Sequence, residues 1–308
     1  MSPALSGFAR NEHRADGSLA HRLGSYAVPV LGDRVRQVAF AVRRHRFARA
    51  LKARRALISV APPAPPTPAG WHTGPPDFVG VGFMKAGTTW WHRLIAAHPQ
   101  VAQIRGRAKE LHYFDRYCNA DFSEADIARY TGYFPRPAGS LAGEWTPRYA
   151  TDFWTPALLR LAAPDAKLIV LLRDPVERYR SGLAHEMARG AMLRPHVAQD
   201  HFGRGLYDAA LDRLHRHFDP GQVLVLQYER CVRAPLPALA RTYEFLGLDD
   251  CGFVPETVRD EINKTASEKP RLPEALRTAL CEGYQDDVRR LAARIPDLDL
   301  GLWPNFAG

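Results

Sequence analysis

The stretch Phe78-Val-Gly-Val-Gly-Phe83-Met-Lys85-Ala-Gly87-Thr88-Thr89 decides the fold. Its first half is a short apolar run, the pattern of a strand buried on both faces. From Thr88 to residue 97 the pattern becomes helical. A strand that runs through a glycine-containing turn into a helix is the context of a phosphate-binding loop. Glycine lets the backbone come close, successive N–H groups point inwards, and the helix N-terminus is partly positive. Against the nucleotide-kinase pattern G-x-x-x-x-G-K-[ST], Gly82 and Gly87 keep the spacing and Thr89 keeps the last hydroxyl. The lysine is displaced: Thr88 stands where it belongs, and Lys85 appears three residues earlier.

The elements around this loop alternate. Residues 99–104 suggest a second strand, and Ser123 caps a helix towards residue 133. Residues 156–163 read as helix. Lys167-Leu-Ile-Val-Leu-Leu172 is the clearest strand of the chain, an uninterrupted apolar run. Helices follow at 177–188 and 207–218, a buried strand at 222–228, and helices at 235–246 and 273–294. The expected fold is α/β: a P-loop-like three-layer sandwich with a central parallel sheet, helices on both faces and an N-terminal basic extension.

At 308 residues and 46% hydrophobic, the chain can bury a full core. Its net charge of +9 is concentrated. Arg34, Arg36, Arg43, Arg44, Arg46, Arg49, Lys52, Arg54 and Arg55 supply nine cations with no acidic residue among them. The rest of the chain therefore sums to about zero, which argues against a nucleic-acid partner, since such a protein carries its basic surface on the folded domain. The run has apolar residues on one helical face. It reads either as an amphipathic helix for an anionic membrane or partner, or as a helix on its own domain or a solvated tail. Ala61-Pro-Pro-Ala-Pro-Pro-Thr-Pro-Ala-Gly70 is a semi-rigid spacer, so the expected division is an arm at 1–75 and a domain at 76–308. Four cysteines without metal spacing, no signal-peptide pattern and no membrane span point to the cytoplasm, with peripheral contact at the inner membrane face as an option. Nothing in the sequence sets an oligomeric state.

Two further segments carry chemistry. Arg173 ends the strongest strand and Ser181 follows on the next helix, where strand C-terminal ends gather ligands. An arginine grips a phosphate dianion bidentately, and a serine adds a neutral donor. Asp174 either imitates a metal-binding aspartate or caps the helix. Within Lys109-Glu-Leu-His-Tyr-Phe-Asp115, an extended chain would put Glu110 and His112 on one face.

Lys85-Ala-Gly-Thr-Thr, Lys109-Glu-Leu-His-Tyr-Phe-Asp115 and Arg173-Asp-Pro-Val-Glu-Arg-Tyr-Arg-Ser181, in this order, resemble the PAPS-dependent sulfotransferases, above all the carbohydrate branch that includes heparan-sulfate enzymes. The likeness spans about residues 77–306 and includes Tyr228-Glu229 and Asn263-Lys-Thr. It implies transfer of a sulfuryl group from PAPS (3′-phosphoadenosine 5′-phosphosulfate) to a hydroxyl, leaving PAP, with no metal required. By the same likeness Lys85, Ala86, Gly87, Thr88, Thr89 and Trp90 hold the 5′-phosphosulfate side and Arg173 and Ser181 the 3′-phosphate. Lys269 and Arg271 lie in a loop that aligns only loosely with a basic family loop over the cofactor. Lys85 would also neutralise the oxygen released from sulfur. Glu110 is the favoured base, His112 the other candidate. Lys109, His112, Asp115, Trp145, Arg148 and Tyr149 are the expected acceptor contacts, Lys109 reaching either the acceptor or a phosphate and the last three coming from a segment that reads equally as an ordinary packed loop. The acceptor classes are a saccharide, a glycolipid or a hydroxylated natural product. The alternative function, a P-loop nucleotide kinase or NTPase, needs Mg²⁺ and a lysine after Gly87.

Overall fold

The computed structural model describes residues 63–103, 109–190, 194–249, 252–259 and 269–307. The basic run at 34–55 and Asn263-Lys-Thr lie outside these residues. In chain order the described strands are β1 (His72–Thr73), β2 (Phe78–Gly82), β3 (Pro135–Arg136), β4 (Gly143–Trp145), β5 (Lys167–Leu172) and β6 (Val223–Gln227). The described helices are α1 (Thr88–Ala96), α2 (Glu124–Thr131), α3 (Thr155–Ala162), α4 (Pro175–Ala188), α5 (Pro195–Gly203), α6 (Tyr207–His215), α7 (Tyr228–Arg233), α8 (Pro235–Leu246) and α9 (Glu274–Arg294).

The two most apolar runs take the centre, as burial demands. β4, β2, β5 and β6 form one parallel sheet in that order, with Phe78 opposite Gly143 on one side and Lys167 on the other. The order reverses at β2, whose neighbours β4 and β5 come later in the chain. Its C-terminal end is thus a topological switch point, where open α/β sheets bind ligands. β2 has a glycine where β4 presses closest: a Cβ at Gly80 would meet the Trp145 ring at 1.9 Å.

Apart from the α2–α3 pair, the helices pack in two groups. α1, α7 and α8 belong together, with Trp91 Nε1 of α1 donating to Thr242 Oγ1 of α8 at 3.1 Å inside the core. α4, α5, α6 and α9 form the other group; Asp287 of α9 accepts from the Asp208 and Ala209 N–H groups, while Arg294 reaches Asp208 at 2.6 Å. Asp174 caps α4 by accepting from Val176 and Glu177 N–H, with Pro175 at the first position, where a missing N–H costs nothing. Ser123 and Asp126 close a capping box on α2.

The three-layer α/β architecture is the one the sequence leads to, with local differences. Of the strand expected at 99–104, the described residues show a single bridge, Val101 to Leu141; Pro99 and the turn from α1 leave too little extended chain for a ladder. β4 carries a buried glutamate and so lacks an apolar signature. Tyr228, read as the end of a strand, already begins α7. Upstream of β2, Ala64 and Trp71 pack on the core, and β1 pairs antiparallel with β3.

Candidate active site

The loop after β2 is built to present backbone donors. Gly87 adopts φ +85°, a conformation that disfavours any side chain, and a Cβ there would meet the Tyr228 ring at 2.6 Å. Lys85 also has positive φ, 67°. Two contacts compensate: Arg173 Nη1 donates to the Lys85 carbonyl at 3.0 Å, and the Arg173 guanidinium lies over the Tyr228 ring at 4.8 Å. Tyr228 thus supports the glycine turn and the arginine together, which the sequence alone signals only as a residue after a strand.

Of the other expected cofactor residues, Lys269 lies within electrostatic reach of Arg173. Ser181 is buried on α4. Lys269 stands 4.0 Å from Glu177, which also binds Arg180 at 3.0 Å, and its pKa is lowered by burial and by the charge of Arg173. Arg271 is exposed and is not brought into this group. Asp174 is fully engaged: beyond its cap, Oδ2 accepts from the Asn305 backbone and side chain at 3.1 and 3.0 Å.

The segment 109–115 faces the loop. Lys109 Nζ lies 3.3 Å from Thr88 Oγ1, 3.2 Å from Thr89 Oγ1 and 2.9 Å from Glu110 Oε1. Glu110 Oε2 meets His112 Nε2 at 3.2 Å, and His112 Nδ1 meets Asp115 Oδ2 at 3.0 Å. The four side chains form a continuous relay ending at the phosphate-loop hydroxyls. His112 achieves this with φ +50°, not with the extended chain expected from alternation. Burial would raise the Glu110 carboxyl, but the hydrogen bond from His112 and the charge of Lys109 outweigh it and hold it at about 2. Hydrogen bonds to Asp115 and Glu110 overcome burial and push His112 up to about 10. Burial lowers Lys85, opposed by the charges of Glu186 and Glu110, which places the loop lysine within electrostatic reach of the relay.

Two of the expected acceptor contacts are core residues instead. Trp145 and Tyr149 have no exposed surface. Trp145 covers Gly80, while the Tyr149 hydroxyl accepts from Tyr113 N–H at 2.9 Å and donates to Glu144 at 3.1 Å. Arg148 is partly exposed and paired with Asp152 at 3.0 Å. The residue that organises this region is Glu144, fully buried. It accepts from Leu111 N–H and from the Thr146, Tyr130 and Tyr149 hydroxyls, at 2.6–3.2 Å. Thr146 Oγ1 in turn accepts from His112 N–H at 3.3 Å. A carboxylate in a short run of small and aromatic residues is the sequence signal that could have found it.

Residues 75–286 match the family model described as "Sulfotransferase domain". Mouse heparan sulfate glucosamine 3-O-sulfotransferase 3B1 is 30% identical over 188 residues, 56% of this chain and 46% of that protein. Human heparan sulfate glucosamine 3-O-sulfotransferase 6 is 32% identical over 187 residues, 56% of this chain and 52% of that protein. The chain spans about half the length of these curated relatives. A sulfotransferase from Alicyclobacillus acidocaldarius superposes with a TM-score of 0.58 at 24% identity, covering 74% of this chain and 98% of that one, a likeness of fold. With the family model matched over more than half its length and a phosphate loop facing a carboxylate relay, this chain belongs to the sulfotransferase family.

Proposed function

We propose that this protein transfers a sulfuryl group from PAPS to a hydroxyl of a saccharide, glycolipid or hydroxylated natural product. The observation that carries the reading is Lys109 Nζ, shared between the hydroxyls of Thr88 and Thr89 and the carboxylate of Glu110. It ties an anion-binding loop to a proton acceptor. The names of the relatives, which act on heparan sulfate glucosamine, support a carbohydrate-type hydroxyl.

The residues fit PAPS. Backbone N–H groups of the loop and Lys85 suit the 5′-phosphosulfate, and Arg173, Ser181 and Lys269 suit the 3′-phosphate. Trp90 Nε1 is buried without an acceptor among the described residues, the kind of donor that a bound ligand satisfies. PAPS supplies the sulfuryl group, whose bond to the phosphate oxygen breaks as the acceptor oxygen attacks sulfur.

Glu110 is the base in this reading. With its pKa near 10, His112 is an imidazolium at neutral pH, its two N–H groups directed at Glu110 and Asp115, and has no lone pair to offer. Glu110 is ionised but weakly basic while Lys109 and His112 bind it. An anion at Thr88 and Thr89 competes for Lys109, and a carboxylate that loses this cation becomes more basic. Glu110 thereby takes the acceptor proton when the loop is filled, and Lys85 stabilises the oxygen that leaves. The kinase alternative would use Asp174 to hold Mg²⁺, and that carboxylate is already engaged by four donors.

Thermal unfolding with saturating PAP, in parallel with ATP plus Mg²⁺, tests the donor. At about 100 times its dissociation constant, PAP stabilises by about 2.7 kcal/mol, a rise of roughly 5–10 °C. Glu110→Gln then tests the base: transfer from labelled PAPS falls by about 10²–10⁴-fold with the PAP shift retained. A shift with ATP and Mg²⁺ alone overturns the donor assignment, and near-normal transfer by Glu110→Gln moves the base to His112.

A further inference from the structure

Away from the relay, a cavity of about 250 Å³ opens among the C-terminal ends of β5 and β6, helices α7 and α8, and the turn at 295–298. Leu172, Leu226, Cys231, Ala238 and Leu298 line it with apolar surface. Burial pushes the Cys231 thiol up to about 12, so it is a wall of the cavity and not a nucleophile. Arg230, Arg241 and Asp297 are the charged residues that line it. Arg241 Nη1 lies 3.4 Å from Asp297 Oδ2, whereas Arg230 Nη2 donates to the Asp297 backbone carbonyl at 2.9 Å. Only Arg241 is paired with the carboxylate, while Arg230 is bound to a neutral carbonyl, so the lining keeps one positive charge in excess. Val232 and Leu236 stand exposed on the same two helices.

A cavity of about 150 Å³ lined by alkyl groups admits benzene, and this one is larger. Its apolar lining is open to solvent, so a ligand that covers it gains the hydrophobic term. The arginines lie where an apolar ligand's head would emerge, and their excess charge selects an anion. The floor is formed by Leu172 and Gln227, the residues immediately before Arg173 and Tyr228, so the site stands on the strand ends that carry the loop's arginine–tyrosine support without using its ligands.

We propose that this cavity binds a small amphipathic anion: a medium-length aliphatic chain inside, with a single anionic head held by Arg230 and Arg241. The inference is independent of the donor and acceptor of the transfer reaction.

Calorimetric titration of the full chain with hexanoate, octanoate and decanoate tests it. One saturable site is expected, with affinity rising by about fourfold per methylene until the cavity is full. Decanoate should bind severalfold more tightly than decanol. Arg230→Ala with Arg241→Ala, both exposed side chains, should remove that preference and keep decanol binding, while Ala238→Trp should abolish binding of both. Should the filled variant not fold, the arginine variant decides. The proposal is overturned by the absence of saturable binding up to about 1 mM, by equal affinity for decanol and decanoate, by binding that survives Ala238→Trp in a folded protein, or by association with anionic vesicles without binding of the free carboxylates.

Discussion

The loop at residues 82–89 and the segment at residues 109–115 face one another, yet they are held by opposite means. The loop is shaped by its own backbone. Positive φ at Lys85 and Gly87, a glycine without room for a side chain and the first turn of α1 fix where its N–H groups point. The segment is held by side chains from elsewhere: Glu144 grips Leu111 N–H, Thr146 grips His112 N–H, and Tyr149 grips Tyr113 N–H. An anion needs a fixed cradle of donors, and backbone supplies that without rotamer entropy. A proton acceptor needs tuning, and side-chain charges supply that.

The comparison predicts different failures on the two sides, and the largest belongs to the loop. Gly87→Ala places a methyl against the Tyr228 ring and a side-chain residue at φ +85°. Backbone strain of about 1–3 kcal/mol and displacement of Tyr228 should weaken PAP by roughly 10–100-fold, with turnover lost in parallel. Equilibrium binding of PAP checks this. Unchanged affinity would mean that the loop does not form the donor cradle.

Glu144→Gln is the matching change on the other side. The amide keeps the shape but has one acceptor oxygen for four donors, and its NH₂ group must face donors. A loss of about 1–3 kcal/mol is expected for the unsatisfied groups, seen as a fall in Tm of roughly 2–10 °C. The catalytic segment should loosen, so kcat falls by about tenfold while PAP affinity is kept. A fall in PAP affinity equal to the fall in kcat would erase the distinction between the two sides.

The same contrast explains what could be read from the sequence. The loop was legible because its constraints are local: glycine spacing, a lysine and an adjoining strand and helix lie within twelve residues. So were β5 and α9, whose lengths of apolar or helical pattern leave little choice. The support of the relay was not, because it depends on residues brought together across β4. Trp145 and Tyr149 have the aromatic and polar character of sugar-binding residues, and only the packing of β4 against β2 shows that their faces are already covered. His112 was legible as a site residue, but its charge state was not. That state depends on Asp115 folding back on it, which the positive φ at His112 permits.

Asp115→Asn tests that charge state and carries the smallest expected effect. His112 titrates at about 10 against an ordinary 6.5, and the hydrogen bond to Asp115 is the leading cause. A raised imidazole pKa contributes stability that is complete below about 6.5 and is lost as pH rises through about 10. Glu110 runs the other way: its contribution is complete above its usual 4.5 and is lost as pH falls towards about 2. Both contributions to stability are therefore complete between about 4.5 and 6.5, and the histidine's declines above that range although the ring stays protonated in the folded protein until about 10. In Asp115→Asn the imidazole resonances followed by NMR should titrate at lower pH, and the alkaline loss of stability, which still starts near 6.5, should be smaller and finish at lower pH. The rate should fall only severalfold, since Glu110 keeps its bond from His112 Nε2 while the ring stays protonated. The fall should steepen above the new midpoint, where a neutral imidazole no longer supports the carboxylate. An unshifted midpoint would assign the proton on His112 to Glu110 alone. The base would then share its proton with the histidine, and the separation of a tuned acceptor from its support would have to be redrawn within the segment itself.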